Sequence, residues 1–296
     1  MVSVIGAGAW GSALYHAIKQ KIPGAVITSR HKRDIEGFVG FDEALQNEYI
    51  IIVIAAQAIR EFLDKHGEKL KNKKILVASK GIDNKSYKFL NEIFEEWVDK
   101  KHLGFVSGPS FAKEVKQNKP TALVIASKNL ELAKEFGKFF PDFIKIYIDD
   151  DVEGVEVAGA YKNVIAIAAG ICEGLDLGNN AKAALIARGL VEMDRFGEYF
   201  GAKKDTFLGV AGAGDLFLTA NSTMSRNYRV GLNLAKGKIL EDILAELGEV
   251  AEGVYTTKAI YELAKRYKIY TPIAYEVYKI IYEGKKPVAS LRDLLS

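Results

Sequence analysis

A strand, a glycine-rich turn and a helix follow one another without a spacer at the start of this 296-residue chain. Met1-Val2-Ser3-Val4-Ile5 reads as a short buried strand, and Gly6-Ala7-Gly8-Ala9-Trp10-Gly11 comes directly after it. From Ser12 to Lys19, Ala13, Leu14, Ala17 and Ile18 fall at helical spacing. The pattern G-x-G-x-x-G carries a mechanism only in this setting. Gly6 allows a tight turn, Gly8 lets the backbone approach a pyrophosphate, and Gly11 lets helix and strand pack closely. The anion is then held at the helix N-terminus. A glycine-rich turn with no ligand is the weaker reading in this context.

The bulk numbers narrow the class further. Hydrophobic residues make up 49% and charged residues 27%, a globular rather than a disordered profile. A net charge of +3 is too small to argue for nucleic acid as a partner. A core strand from residue 2 leaves no room for a signal peptide. The apolar runs Tyr49 to Ile59 and Val164 to Cys172 are too short for a bilayer span, so no stable membrane insertion is expected. The single cysteine, Cys172, excludes an internal disulfide framework and suits a reducing cytoplasm. His16, His31, His66 and His102 show no metal-ligand spacing, so no metal is expected.

Two halves differ in periodicity. Up to about residue 148, short β-rich runs (Val2–Ile5, Ala25–Ser29, Tyr49–Ile54, Lys74–Ser79, Leu103–Ser107, Thr121–Ala126 and Phe143–Ile148) alternate with amphipathic stretches. Those stretches include Ala58–Leu70, Tyr87–Val98 and Leu130–Phe140. Such alternation indicates a mainly parallel sheet covered by helices. After Asp149-Asp150-Asp151 long helical segments follow, at about 153–173, 179–198, 225–236, 253–267 and 271–283. The fold expected is an α/β Rossmann-type N-terminal domain over residues 1–150, joined to an all-α C-terminal domain over residues 151–296. Tyr275, Tyr278, Ile281 and Tyr282 form an apolar stripe on the last of these helices. Core packing is its favoured use, and a homodimer stays open.

The residue that ends the second strand of a dinucleotide fold sets the ribose contact: an acid binds the 2′-hydroxyl, an arginine accommodates a 2′-phosphate. Here the segment reads Thr28-Ser29-Arg30-His31-Lys32-Arg33, with no acid, so NADP(H) is preferred and NAD(H) remains usable. In the second half, Lys162 sits within Tyr161-Lys162-Asn163 in a segment otherwise rich in Val, Ile and Ala. Its stem either snorkels to water or its ammonium is desolvated and available as an acid or base. Asp215 follows Gly212-Ala213-Gly214, where it is a helix cap or a partner for the lysine, and Thr219 lies one helical turn beyond. Ser225-Arg226-Asn227 precedes a helical run and offers a cap, a cation and free N–H groups for an anion. Ser79-Lys80-Gly81 and Gly108-Pro109-Ser110-Phe111-Ala112-Lys113-Glu114 lie at the carboxyl ends of strands, where open α/β sheets bind ligands.

Taken together and in this order, the motifs resemble the bacterial-type NAD(P)-dependent glycerol-3-phosphate dehydrogenases. The elements that carry the resemblance are GAGAWG at 6–11, SKG at 79–81, GPSFAKEV at 108–115, YKNVIAIAAG at 161–170, GAGDLFLT at 212–219, SRNYRVG at 225–231 and EVAEGVYT at 249–256. The resemblance implies interconversion of dihydroxyacetone phosphate and sn-glycerol 3-phosphate, a small phosphorylated substrate that supplies phospholipid synthesis. By motif, Lys162 is then the catalytic acid/base and Asp215 its partner. Lys80, Asn163 and Thr219 meet the reacting region, Gly108 and Ser110 line the pocket, and Ser225, Arg226 and Asn227 hold the phosphate end. Gly6, Gly8, Ala9, Trp10, Gly11, Arg30, Ala112, Val250 and Glu252 match cofactor positions, and Lys80 and Arg226 touch both ligands. The chain departs from the family in a short Arg30–Tyr49 connection, in Val53-Ile54-Ala55-Ala56-Gln57-Ala58 where Val-Pro-Ser or Val-Pro-Thr is common, and in Ala9, where many relatives carry a hydroxyl.

The implied mechanism has Lys162 protonate the forming alkoxide while remote binding of the phosphate positions the ketone carbon, in a cleft between domains. Two other readings remain at this stage. One is a β-hydroxyacid or ketopantoate-type reductase acting on a carboxylate. The other is a non-catalytic NADP-binding regulator.

Overall fold

Residues 1–248 and 250–295 are described by a computed structural model, and they divide into two compact units. The first comprises Met1–Lys80 and Leu90–Glu156; the second comprises Gly81–Phe89 and Val157–Ser296, Ser296 itself lying outside the described residues.

The first unit carries a seven-stranded sheet: β1 (Val2–Ile5), β2 (Val26–Thr28), β3 (Tyr49–Ile52), β4 (Lys74–Val77), β5 (Leu103–Ser107), β6 (Thr121–Ala126) and β7 (Ile144–Asp149). Their spatial order is β2-β1-β3-β4-β5-β6-β7. Every pair is parallel except β5 with β6, where Phe105 faces Ala126 and Ser107 faces Val124 in antiparallel register. The central strands are apolar on both faces because helices cover both sides, as parallel sheets require. Those helices are α1 (Ala9–Lys21), α2 (Phe41–Ala44), α3 (Ile59–Leu70), α4 (Leu90–Phe94), α5 (Ala112–Lys116) and α6 (Leu130–Gly137). Leu14, Ile18, Ile27, Ile51, Leu76, Ile125 and Phe136 form a core in which each side chain is fully buried. The chain runs from β1 outward to β2 and then crosses back to β3 on the other side of β1. That reversal opens a crevice at the carboxyl ends of β1 and β3.

The short connection after Arg30 is tied back onto the sheet instead of reaching outward. Phe38 bridges to Ile27, the Thr28 hydroxyl donates to Val39 O at 2.8 Å, and the Tyr15 hydroxyl donates to Glu36 O at 2.7 Å.

The stretch Tyr87–Val98 departs from the expected continuous helix. Asp83 accepts from both the backbone N–H and the hydroxyl of Ser86, which closes a turn, and Tyr87 adopts φ +58°, a conformation no helix interior contains. Only Leu90–Phe94 remains helical, and Ile82 and Phe89 join the hydrophobic core of the second unit.

The second unit is helical: α7 (Val152–Gly174), which begins in the first unit, α8 (Gly178–Tyr199), α9 (Lys204–Leu208), α10 (Asp215–Ala220), α11 (Arg226–Ala235), α12 (Leu240–Leu247), α13 (Glu252–Tyr267), α14 (Pro272–Tyr282) and α15 (Pro287–Leu295). Among the described residues α7 alone is long and apolar enough to cross a membrane, yet its apolar window is wholly buried by its neighbours. Counting uninterrupted apolar runs overlooks it because Lys162 and Asn163 break the run. The aromatic stripe on α14 is used in part for packing: Tyr278 stacks on Tyr261 of α13 with ring centroids 3.7 Å apart, and the Tyr282 hydroxyl donates to Val254 O, while Tyr275 and Tyr282 keep exposed ring surface.

Candidate functional site

In the first unit the glycine turn follows β1 and leads into α1, with Gly8 at the N-cap and no side chain capping it. Gly6 has φ +117°, and a Cβ there would stand 2.2 Å from Val53 O; one at Gly11 would stand 1.8 Å from Gly6 O. The protein's own packing therefore demands those two glycines. Gly8 is different, because a Cβ there meets no protein atom within 4 Å. Open space over a bare backbone at a helix N-terminus is what a pyrophosphate needs, and the residues present fit a dinucleotide. Ala9 and Trp10 open α1, with Ala9 exposed and Trp10 half-buried. Arg30 lies two residues past β2 and is exposed together with His31, Lys32 and Arg33.

The ends of β4 and β5 bring three more residues together. Lys80 Nζ donates to Gly108 O at 3.4 Å, and the Ser110 hydroxyl donates to the same oxygen at 2.9 Å. Ala112 follows as the first residue of α5, which packs beside α1.

The second unit holds the buried chemistry. Lys162 and Asp215, 53 residues apart, are both buried, and Lys162 Nζ lies 2.8 Å from Asp215 Oδ1. The lysine therefore does not snorkel. Its ammonium also donates to Thr219 Oγ1 at 2.9 Å, and that hydroxyl in turn donates to Asp215 O at 2.6 Å. The donation fixes the hydroxyl rotor, so its lone pairs face the ammonium. Asp215 is presented by a π-turn, Val210–Gly214, that leads directly into α10; such turns recur at functional sites. Asn163 Nδ2 donates back to Gly159 O on its own helix.

Ser225 caps α11, its hydroxyl accepting from Tyr228 N at 3.2 Å. Arg226 is half-buried in the first turn, and the buried Asn227 accepts from Gly253 N at 3.0 Å through Oδ1. The EVAEGVYT segment thus meets the SRN segment at Gly253, one residue after Glu252. Val250 is exposed ahead of α13, Glu252 is its first residue, and Glu249 lies outside the described residues. No cluster of His, Cys, Asp and Glu that could hold a metal occurs among the described residues.

Sequence reading passed over two buried carboxylates. Glu192 of α8 accepts from Tyr161 OH at 2.8 Å and from Ile273 N and Ala274 N at 2.9 Å each, capping α14 where Thr271 makes no side-chain cap. Burial raises the Glu192 carboxyl above its ordinary range, with the two amide donors opposing the shift. Glu156 of α7 accepts from Asn91 N at 2.9 Å, and burial raises its carboxyl to about 8. The available signal was an acid interrupting an apolar helix face, such as Glu192 among Ile186, Gly189, Met193 and Phe196.

Comparison with known proteins agrees with this geometry. Residues 32–133 match the family model described as NAD-dependent glycerol-3-phosphate dehydrogenase N-terminus, and residues 151–292 match its C-terminus counterpart. A glycerol-3-phosphate dehydrogenase [NAD(P)+] of Nitratiruptor sp. is 60% identical over 294 residues, covering 99% of this chain and 97% of the relative. One from Campylobacter lari is 57% identical, covering 100% and 97%. The crystal structure of glycerol-3-phosphate dehydrogenase from Coxiella burnetii superposes with a TM-score of 0.93 at 32% identity, over 100% of this chain and 98% of that one. A ketopantoate reductase from Staphylococcus aureus shares 13% identity at a TM-score of 0.51, a likeness of fold alone. With matching models across both halves and full-length relatives at such identity, the chain belongs to the NAD-dependent glycerol-3-phosphate dehydrogenase family.

Proposed function

We propose that the protein interconverts dihydroxyacetone phosphate and sn-glycerol 3-phosphate with NAD(P)H, in the cytoplasm and as a homodimer, supplying glycerol phosphate for phospholipid synthesis. The observation that carries the reading is the buried Lys162–Asp215–Thr219 cluster, set in the motifs the family shares. The nicotinamide supplies the hydride. Gly6, Gly8, Ala9, Trp10 and Gly11 hold the pyrophosphate side, with Lys80, Ala112, Arg226, Val250 and Glu252 as further cofactor contacts. Arg30 pairs with a 2′-phosphate, which makes NADP(H) the preferred form.

Lys162 donates a proton to the oxygen of the ketone as it becomes an alkoxide, and takes it back from the hydroxyl in the reverse direction. Asp215 and Thr219 hold the ammonium in place and balance its charge, so little reorganisation accompanies the transfer. Lys80 and Asn163 meet the reacting region, and Gly108 and Ser110 line the pocket. Ser225, Arg226 and Asn227, with the N–H groups opening α11, anchor the phosphate, and that remote binding energy orients the reacting carbon.

The test is NADPH oxidation at 340 nm with dihydroxyacetone phosphate, repeated with NADH and with unphosphorylated dihydroxyacetone. The expected outcome is turnover that needs the phosphate and favours NADPH. Equal use of NADH rejects the role of Arg30 and keeps the enzyme. No turnover with either cofactor in a folded protein overturns the reading.

A further inference from the structure

We infer that Gly253 is a positioning residue for the substrate's phosphate, acting through the side-chain amide of Asn227. The inference rests on the reading that Asn227 anchors the phosphate. An asparagine amide has two faces of opposite character: Oδ1 only accepts hydrogen bonds and Nδ2 only donates. Against a phosphate the donor face binds and the acceptor face repels, so the amide must be locked one way round.

Gly253 provides the lock. It is the second residue of α13, and its backbone N–H has no intrahelical partner because the first turn of any helix leaves its amides open. Ala251, at the N-cap, offers no side-chain bond. Asn227 Oδ1 accepts from this amide at 3.0 Å with both groups buried. Turning the amide over would set Nδ2 against the Gly253 N–H, donor against donor, and leave a buried N–H unsatisfied. With Oδ1 committed, Nδ2 is the face left for a ligand, and no partner holds it among the described residues.

The lock also requires glycine. A Cβ at 253 would stand 2.7 Å from Asn227 Oδ1 and 2.8 Å from Asn163 O. Neither neighbour is the loose end of a flexible chain: one is the bonded amide, the other the backbone of α7. Any larger residue pushes the start of α13 away and removes the donor that orients Asn227.

The test compares kcat/KM for dihydroxyacetone phosphate and for unphosphorylated dihydroxyacetone in wild type, Gly253→Ala and Asn227→Asp. The affinity for sn-glycerol 3-phosphate is measured by calorimetry alongside. Gly253→Ala is expected to lower kcat/KM for the phosphorylated ketone about 10- to 100-fold, the worth of one charge-assisted hydrogen bond. It weakens sn-glycerol 3-phosphate binding by a similar factor and lowers kcat/KM for dihydroxyacetone much less, so the preference for the phosphorylated substrate falls. A purely structural glycine would lower both substrates together, and such an unchanged phosphate preference overturns the inference. Asn227→Asp keeps the acceptor for Gly253 N and sets a second oxygen where Nδ2 stood. If it leaves the phosphorylated substrate unaffected, the anchoring role of Asn227 itself falls. If it weakens that substrate while Gly253→Ala does not, only the role of Gly253 is rejected.

Discussion

Lys162 shows how far a single residue can be read from sequence. Its apolar surroundings on α7 left two choices, a snorkelling stem or a desolvated ammonium, and only the position of Asp215 separates them. The two lie 53 residues apart and meet at 2.8 Å in the interior. A buried pair of this kind is weak evidence for stability by itself, yet removing one partner is costly because the other charge stays inside. Lys162→Ala is therefore expected to lower kcat by about a hundredfold or more, as loss of a positioned general acid does. It should also lose roughly 3 kcal/mol of stability as Asp215 loses its ammonium. Steady-state kinetics and chemical denaturation read the two effects separately, and near-normal turnover would end the catalytic assignment. Gly253 is the opposite case: its motif was visible in the sequence, but its partner was not.

At the level of elements, strand positions were legible because a buried parallel strand is a short apolar run. The long helices of the second half began and ended within a residue of where their spacing put them, but two helix starts take an acceptor from another helix. Glu156 on α7 satisfies an amide of the short α4, and Glu192 on α8 satisfies the start of α14, so these amides find acceptors on other helices even where Thr271-Pro272 marks the start in sequence. Glu156 makes a pH-dependent prediction. Burial raises its carboxyl from 4.5 to about 8, so between those values the folded chain keeps a proton that the unfolded chain releases. Stability from this group is complete below the unfolded value and is lost as pH rises through the window, on the order of 1 kcal/mol per pH unit. Glu156→Gln keeps an acceptor for Asn91 N without the titration. Its stability relative to wild type should rise steadily from about pH 5 to 8 in urea unfolding, and a constant difference would show that the carboxyl titrates normally. Tyr87–Val98 had helical spacing, but the Asp83–Ser86 turn and the positive φ at Tyr87 overrode it. Local side-chain hydrogen bonds compete with a helix wherever the segment's apolar residues are wanted elsewhere.

For the molecule as a whole, each unit buries its own core, and Tyr278 of the aromatic stripe on α14 stacks on α13 while Tyr275 and Tyr282 stay exposed. Val191, Leu208 and Phe217, on the packed helices α8, α9 and α10, are each more than half exposed and supply apolar area of the kind that association covers. Light scattering at micromolar concentration is expected to give the mass of two chains, and a single-chain mass would remove the homodimer from the proposal. The sequence by itself determined the nucleotide turn, the change from alternating β and α elements to long helices, and the set and order of the motifs. Each of these is local, written in spacing and residue type over a dozen positions. Tertiary structure alone decided the order of the strands, the passage of Gly81–Phe89 into the helical unit, and the meetings of Lys162 with Asp215 and of Asn227 with Gly253. Those depend on hydrogen bonds and close contacts between residues far apart in the chain, 26 positions for Asn227 with Gly253 and 53 for Lys162 with Asp215, which no local period encodes.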